Sequence, residues 1–317
     1  MRILFYNNAS IGDLFMQQQI IRQVIKCNPD ENIQFYGRSN HFILNDVSDN
    51  LLISLPRDFK TVLECYPFSL IHKFDENTFM FNTWIWPLGD ECLPRIRIEC
   101  DPYLIQEAFC IGLEKYMGRL NNIRINYTKL SRYELLPSIP PTNIDKFREW
   151  RNSIKDRKIL FYYNFIPRSL NYPDFPLENY NMEKQHIEII EHISRLNPTL
   201  LIVVPAMTPH TNTNLILCSR FFDTTEIASS ENLYKIGAAA ALCDYSVHYE
   251  TGGCFTFFNR DFSLSNTKIL HIAVTPFFIN TFKNYLEQSN INTDRYSGVF
   301  CKTINEIKEY FSNHLFT

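Results

Sequence analysis

The proline-rich segment Leu135 to Thr142 divides this chain into two stretches that begin in the same way. Pro137, Pro140 and Pro141 deny both a helix interior and an interior strand, so the segment reads as a linker. Before it, Ile3-Leu4-Phe5-Tyr6 predicts a buried strand, a helix runs from Gly12-Asp13 to Cys27, and Ile33 to Tyr36 predicts a second strand. After it, Lys158 to Asn164 predicts a strand, Glu183 to Leu196 a helix, and Thr199 to Val204 a strongly apolar strand. Strand, helix, strand is the unit whose parallel strands require a crossover. The expected fold class is therefore α/β, with two Rossmann-like domains facing each other across a cleft. Their expected bounds are residues 1–140 and 141–302, with a closing C-terminal helix over 303–317.

The remaining periodicity fills in this frame. Leu51 to Leu55, Ser69 to His72 and Phe79 to Trp84 predict strands, and Pro102 to about Met117 predicts a helix. Asp145 to Lys158 predicts a short helix with Phe147 and Trp150 inward, and the helix from Glu183 is expected to turn Ile187, Ile190 and Ile193 inward. A helix capped by Ser230 runs to Leu242, its Gly237 to Ala241 stretch offering a thin face to a sheet. The apolar run Leu242 to Val247 predicts the next strand, then come strands at Ile269 to Val274 and Val299 to Cys301. Helices are expected at Phe278 to Ser289 and Ile304 to Leu315. In open α/β sheets ligands sit beyond the carboxyl ends of the strands, so functional residues are sought there.

One such place is His248-Tyr249-Glu250-Thr251-Gly252-Gly253, after the run Leu242 to Val247. The chain has only nine glycines, so an adjacent pair is a pointed use of a scarce residue. Bare peptide N–H groups at a strand end can point at an anion, and a tight turn is the other reading. Glu250 could accept from ribose hydroxyls, and His248 alternates with it along an extended segment, so both could face one side. A lone histidine in a strand is also a common packed residue. The second place is Asp13. As structure, it is an acidic residue in the first turn of a helix, complementing the dipole. As chemistry, its carboxylate at the end of the first strand would face the interdomain cleft and could take a proton from an acceptor hydroxyl.

With these residues the chain resembles glycosyltransferases of the GT-B fold, and among them the heptosyltransferase-like group (glycosyltransferase family nine-like). That group opens with a strand and a Gly-Asp at the head of the first helix, matched by Gly12 and Asp13. Its second domain carries an acidic or hydroxyl residue before Thr-Gly or Ser-Gly, matched by Glu250, Thr251, Gly252 and Gly253, with Glu250 where the group usually has Asp. The resemblance implies an N-terminal acceptor-binding domain and a C-terminal nucleotide-sugar-binding domain. It implies Asp13 as base, and a donor diphosphate resting on the N–H groups of Thr251 to Gly253. Asn164 and Arg168 follow the first strand of the second domain, where the family places a cationic residue against the phosphates. There Arg168 could clamp a phosphate and stabilise the departing nucleotide.

The implied activity is transfer of a sugar from a nucleotide diphosphate donor to a carbohydrate or other hydroxyl acceptor, inverting and without a metal ion or a bound cofactor. A sugar-nucleotide epimerase on the same scaffold and a non-catalytic glycan- or nucleotide-binding protein are the alternatives. Net charge of −3 over 317 residues offers no electrostatic case for nucleic acid. Hydrophobic content of 45% with 21% charged residues suits a soluble globular protein, and no apolar run approaches the ~20 residues that span a bilayer. Nine cysteines without a Cys-x-x-Cys pair predict reduced thiols and a cytoplasmic location. Gly-x-Gly-x-x-Gly, Gly-x-Ser-x-Gly and P-loop patterns are missing, which argues against nicotinamide chemistry, a nucleophile-elbow hydrolase and a P-loop enzyme.

Overall fold

The computed structural model describes residues 2–7, 11–37, 71–73, 76–82, 130–131, 134, 136, 138, 142–163, 182–205, 214–224, 230–249, 259–273, 279, 283, 286–287, 291–301 and 303–315. The chain forms two compact units, Met1–Pro137 and Ser138–Thr317.

In the first unit, β1 (Arg2–Asn7) leads into α1 (Ile11–Cys27) and β2 (Asn32–Gly37), followed by β3 (Ile71–Lys73) and β4 (Thr78–Asn82). The sheet order is β2-β1-β4-β3. Strand β1 is parallel to β2 on one side and to β4 on the other, and β3 closes antiparallel on β4. Ile3, Leu4 and Phe5 are buried, as strands covered on both faces require, and Ile20, Ile21 and Val24 bury the matching stripe of α1. The helix ends where the Asn28 side chain donates to the Val24 carbonyl and Pro29 forbids continuation. The expected strand at Leu51 to Leu55 and the expected helix from Pro102 lie outside the described residues.

The second unit is an α/β layer structure. After α2 (Asp145–Ser153) its strands are β5 (Ile159–Tyr163), β6 (Leu201–Val204), β7 (Leu215–Leu217), β8 (Tyr245–Tyr249), β9 (Lys268–Ala273) and β10 (Tyr296–Phe300). They form one six-stranded sheet in the order β10-β9-β8-β5-β6-β7, with every neighbouring pair parallel. Counted from β5, this is the 3-2-1-4-5-6 order of a dinucleotide-binding sheet. The chain winds from β5 through α3 (Met182–Leu196) to β6 and β7, then returns through α4 (Ser230–Ala240) to β8 on the opposite side of β5. A short helix α5 (Arg260–Ser263) precedes β9, and α6 (Ile304–His314) follows β10.

Strand alternation sorts the core. Leu160 and Tyr162, Ile202 and Val204, Val247 and Tyr249, and Leu270 and Ile272 share one buried face under Ile189, Ile190 and Ile193 of α3 and Ile307, Tyr310 and Phe311 of α6. Those two helices are joined by a Lys308–Glu188 ion pair at 3.2 Å. Helix α6 starts on a capping box in which Thr303 accepts from the Glu306 amide and Glu306 reaches back to the Thr303 amide.

Two expectations shift, and one strand was not foreseen. In α3 the buried positions are His186, Ile189, Ile190 and Ile193, spaced as one helical stripe, whereas Ile187 is only half-buried. Strand β8 begins at Tyr245 because Leu242, Cys243 and Asp244 form the turn that ends α4, their amides bonded to Ala239, Ala240 and Ile159 carbonyls. Strand β7 is an edge strand of three residues, too short to leave a periodic signal.

Asp244 ties the amino end of this sheet together. Its carboxylate accepts from the Ile159 amide at 2.9 Å, from Lys158 Nζ at 2.9 Å and from the Arg151 guanidinium at 3.3 Å. Lys158 is exposed and adds little, but Arg151 and the Ile159 amide are partly sheltered from water. Asp244→Ala should therefore lower stability by about 2 kcal/mol, read as a reduced urea midpoint at unchanged slope. A midpoint unmoved by the substitution would show that water replaces the carboxylate at no loss.

Candidate functional site

The second sheet reverses its winding between β5 and β8, and that is where a crevice opens at the carboxyl ends of strands in this topology. The register sets Tyr163 of β5 beside His248 of β8, so the two strands finish side by side. Asn164 is the residue after β5, and Glu250 is the residue after β8. Asn164, Arg168, Glu250, Thr251, Gly252 and Gly253 themselves lie outside the described residues. Both expected donor-binding stretches thus issue from the two strands that flank the reversal.

The first unit shows a comparable arrangement among its described strands. Strand β1 passes through α1 to β2 on one side, while β4 pairs on its other side with Tyr6 opposite Asn82. Asp13 is the third residue of α1, in the first turn after β1. Its backbone therefore lies at the carboxyl end of the strand about which the winding reverses. An acidic residue in a first helical turn also meets the positive end of the helix dipole.

His248 sits inside the fold. It is fully buried in β8, and its ring stacks on that of His271 in β9 with centroids 5.1 Å apart and planes 19° from parallel. The two residues are register partners. His271 Nδ1 in turn meets the Tyr296 hydroxyl at 2.7 Å. Gly298 is needed beside that contact, since a Cβ there would come within 2.7 Å of the same hydroxyl and 2.9 Å of Ile279. Burial pushes the His271 pKa down to about 3, and burial together with the neighbouring His271 holds His248 well below the usual histidine value. Both rings are neutral at pH 7. The side of the strand that His248 occupies is thus filled by packing.

The opposite side of the same strand end carries a second polar group that sequence reasoning missed. The Tyr162 hydroxyl lies 2.7 Å from the Tyr249 hydroxyl and 2.9 Å from Nδ1 of His186. Tyr162 is the penultimate residue of β5, Tyr249 is the last of β8, and His186 belongs to the second turn of α3. All three are buried, and their rings meet edge to face at 5.2 to 6.1 Å. Burial lowers the His186 pKa to about 4 and raises that of Tyr162 well above the usual phenol value. The signal was present in the sequence: His186 falls in helical register with Ile189, Ile190 and Ile193.

No protein-family model matches the chain, and no curated protein matches it. Among solved structures it is similar to glycosyltransferases. The Escherichia coli heptosyltransferase WaaC with ADP aligns over 99% of both chains, with a TM-score of 0.47 and 10% identity. A glycosyl transferase family 9 protein from Veillonella parvula DSM 2008 aligns over 99% of this chain and 89% of its own, with a TM-score of 0.44 and 11% identity. For the E. coli ADP-heptose LPS heptosyltransferase II the figures are 99%, 97%, 0.43 and 9%. No helix among the described residues is long and apolar enough to cross a membrane.

Proposed function

We propose that the chain is a GT-B glycosyltransferase that moves a sugar from a nucleotide diphosphate donor to a hydroxyl acceptor. One observation supports this reading above the rest. The second unit has a dinucleotide-type sheet, and the two strands at its reversal lead directly into Asn164–Arg168 and Glu250–Gly253. In the reaction, Asp13 takes the acceptor hydroxyl proton. The acceptor oxygen then forms its bond to the anomeric carbon from the face opposite the leaving group, with inversion. The bond from that carbon to the diphosphate breaks, and its electron pair stays on the nucleoside diphosphate. Arg168 and the peptide N–H groups of Thr251 to Gly253 meet that charge, and Glu250 holds the ribose. This leaves the leaving group stabilised by protein charges and dipoles, without a metal ion in the scheme.

Thermal unfolding of the full chain with a panel of nucleotide sugars and nucleoside diphosphates tests donor binding. A ligand at a hundred times its dissociation constant should add about 2.7 kcal/mol to stability. No shift with any donor in the panel would remove the basis for the assignment.

A further inference from the structure

The Tyr162–His186–Tyr249 cluster sits on a sheet face whose other buried strand residues are Leu160, Ile202, Val204, Val247, Leu270 and Ile272. Apolar residues of similar size would fill the same volume with no hydrogen-bonding demand. The polar solution also leaves a residual penalty, because Nε2 of His186 is buried and has no hydrogen-bond partner among the described residues. A group retained on those terms needs a reason, and its location supplies one. Its hydroxyls bridge the ends of the two strands at the sheet reversal, and its imidazole fastens them to the helix that follows β5. Tyr249 and Val247 occupy alternate positions on one face, so Tyr249 stands diagonal to Tyr162, within reach of a long aromatic side chain.

We propose that Tyr162 and His186 are positioning residues for the donor site, acting through Tyr249 to fix the strand end from which Glu250 and the Thr-Gly-Gly leave. The hydrogen-bond chain can run from Tyr249 through Tyr162 to Nδ1 of His186, or in reverse. In both directions the imidazole stays neutral and one proton is shared along each bond, so no net charge is buried. The inference rests on the donor-site reading for its consequence and on the cluster's geometry alone for its mechanical part.

The experiment separates the two. Tyr162→Phe, His186→Leu and His186→Asn are compared with the unaltered protein, titrating ADP, UDP, GDP and CDP in turn and following amide hydrogen exchange in the peptide that spans the end of β8. His186→Leu, which removes one buried hydrogen bond, should weaken the best nucleotide by about ten-fold and speed exchange at that strand end, and Tyr162→Phe, which removes two, should do so at least as strongly. His186→Asn, whose amide can stand where Nδ1 does, should restore both towards the unaltered values. Unchanged exchange in Tyr162→Phe, or an Asn variant no better than the Leu variant, overturns the proposal. If the unaltered protein binds none of the four nucleotides while exchange responds as described, the positioning role stands and the donor assignment falls.

Discussion

Lowering the pH from 7 to 5 should strip about 5 kcal/mol of stability from the protein, through residues 138–317. The cause is three histidines buried as neutral rings, His186, His248 and His271. Burial holds His186 at about 4 and His271 at about 3, and keeps His248 well below its ordinary value. In the unfolded chain each returns to a value near 6.5. Above that pH neither state holds the proton and the histidines contribute nothing to pH dependence. As the pH falls below 6.5 the unfolded chain takes up protons that the folded chain refuses, so the unfolded state gains. Each refused proton is worth roughly 1.4 kcal/mol per pH unit, and three give about 4 kcal/mol per unit until the folded-state values are approached. Beyond burial, the neighbouring His271 adds to the refusal at His248, because two charged rings stacked 5.1 Å apart would repel. The loss is comparable with the whole stability of an ordinary domain, so acid unfolding should set in near pH 5. Urea titrations followed by circular dichroism between pH 8 and 5 provide the check. A slope corresponding to uptake of two to three protons is expected, and a midpoint flat across that range would mean that the three rings admit protons while folded.

The sequence carried the α/β frame because each buried strand is a nearly unbroken apolar run. Ile3 to Phe5, Ile159 to Tyr163 and Leu201 to Val204 show no polar alternation, as strands covered on both faces should not. Where apolarity serves burial without pairing, the same signal misleads: Leu242 and Cys243 belong to a turn, and the backbone and carboxylate of Asp244, bonded to Ile159 and Lys268, mark where β8 begins. Winding order was not legible locally, since the place of β8 beside β5 rests on pairing between distant segments. The same holds for the buried hydroxyl–imidazole group. His186 and Tyr249 lie 24 and 87 residues from Tyr162, and only the folded sheet shows that one hydroxyl serves both. His248 illustrates the converse. Its alternation with Glu250 suggests that both face one side, and in the fold its ring packs on that of His271 in the next strand.

Asp13→Asn should reduce turnover by about 10²- to 10⁴-fold while donor affinity changes little, because an amide keeps the shape of the carboxylate but cannot take a proton from the acceptor hydroxyl. The position allows a competing account to be measured in the same variant. In the first turn of α1 a carboxylate also favours the helix dipole, a contribution of about 0.3–1 kcal/mol that Asn gives up. If dipole complementarity is all that Asp13 supplies, the variant melts slightly lower and works as before. If Asp13 is the base, the kinetic loss far exceeds the stability loss, and it falls on kcat with the donor dissociation constant retained. The alternatives separate on the same bench. An epimerase consumes donor with no acceptor present and yields an altered nucleotide sugar, whereas a transferase releases nucleoside diphosphate in proportion to glycosylated acceptor. A binding protein gives neither product, and its donor affinity is indifferent to the substitution. An Asn variant retaining more than half of the turnover would take proton abstraction away from Asp13, and with it the inverting displacement built on that carboxylate.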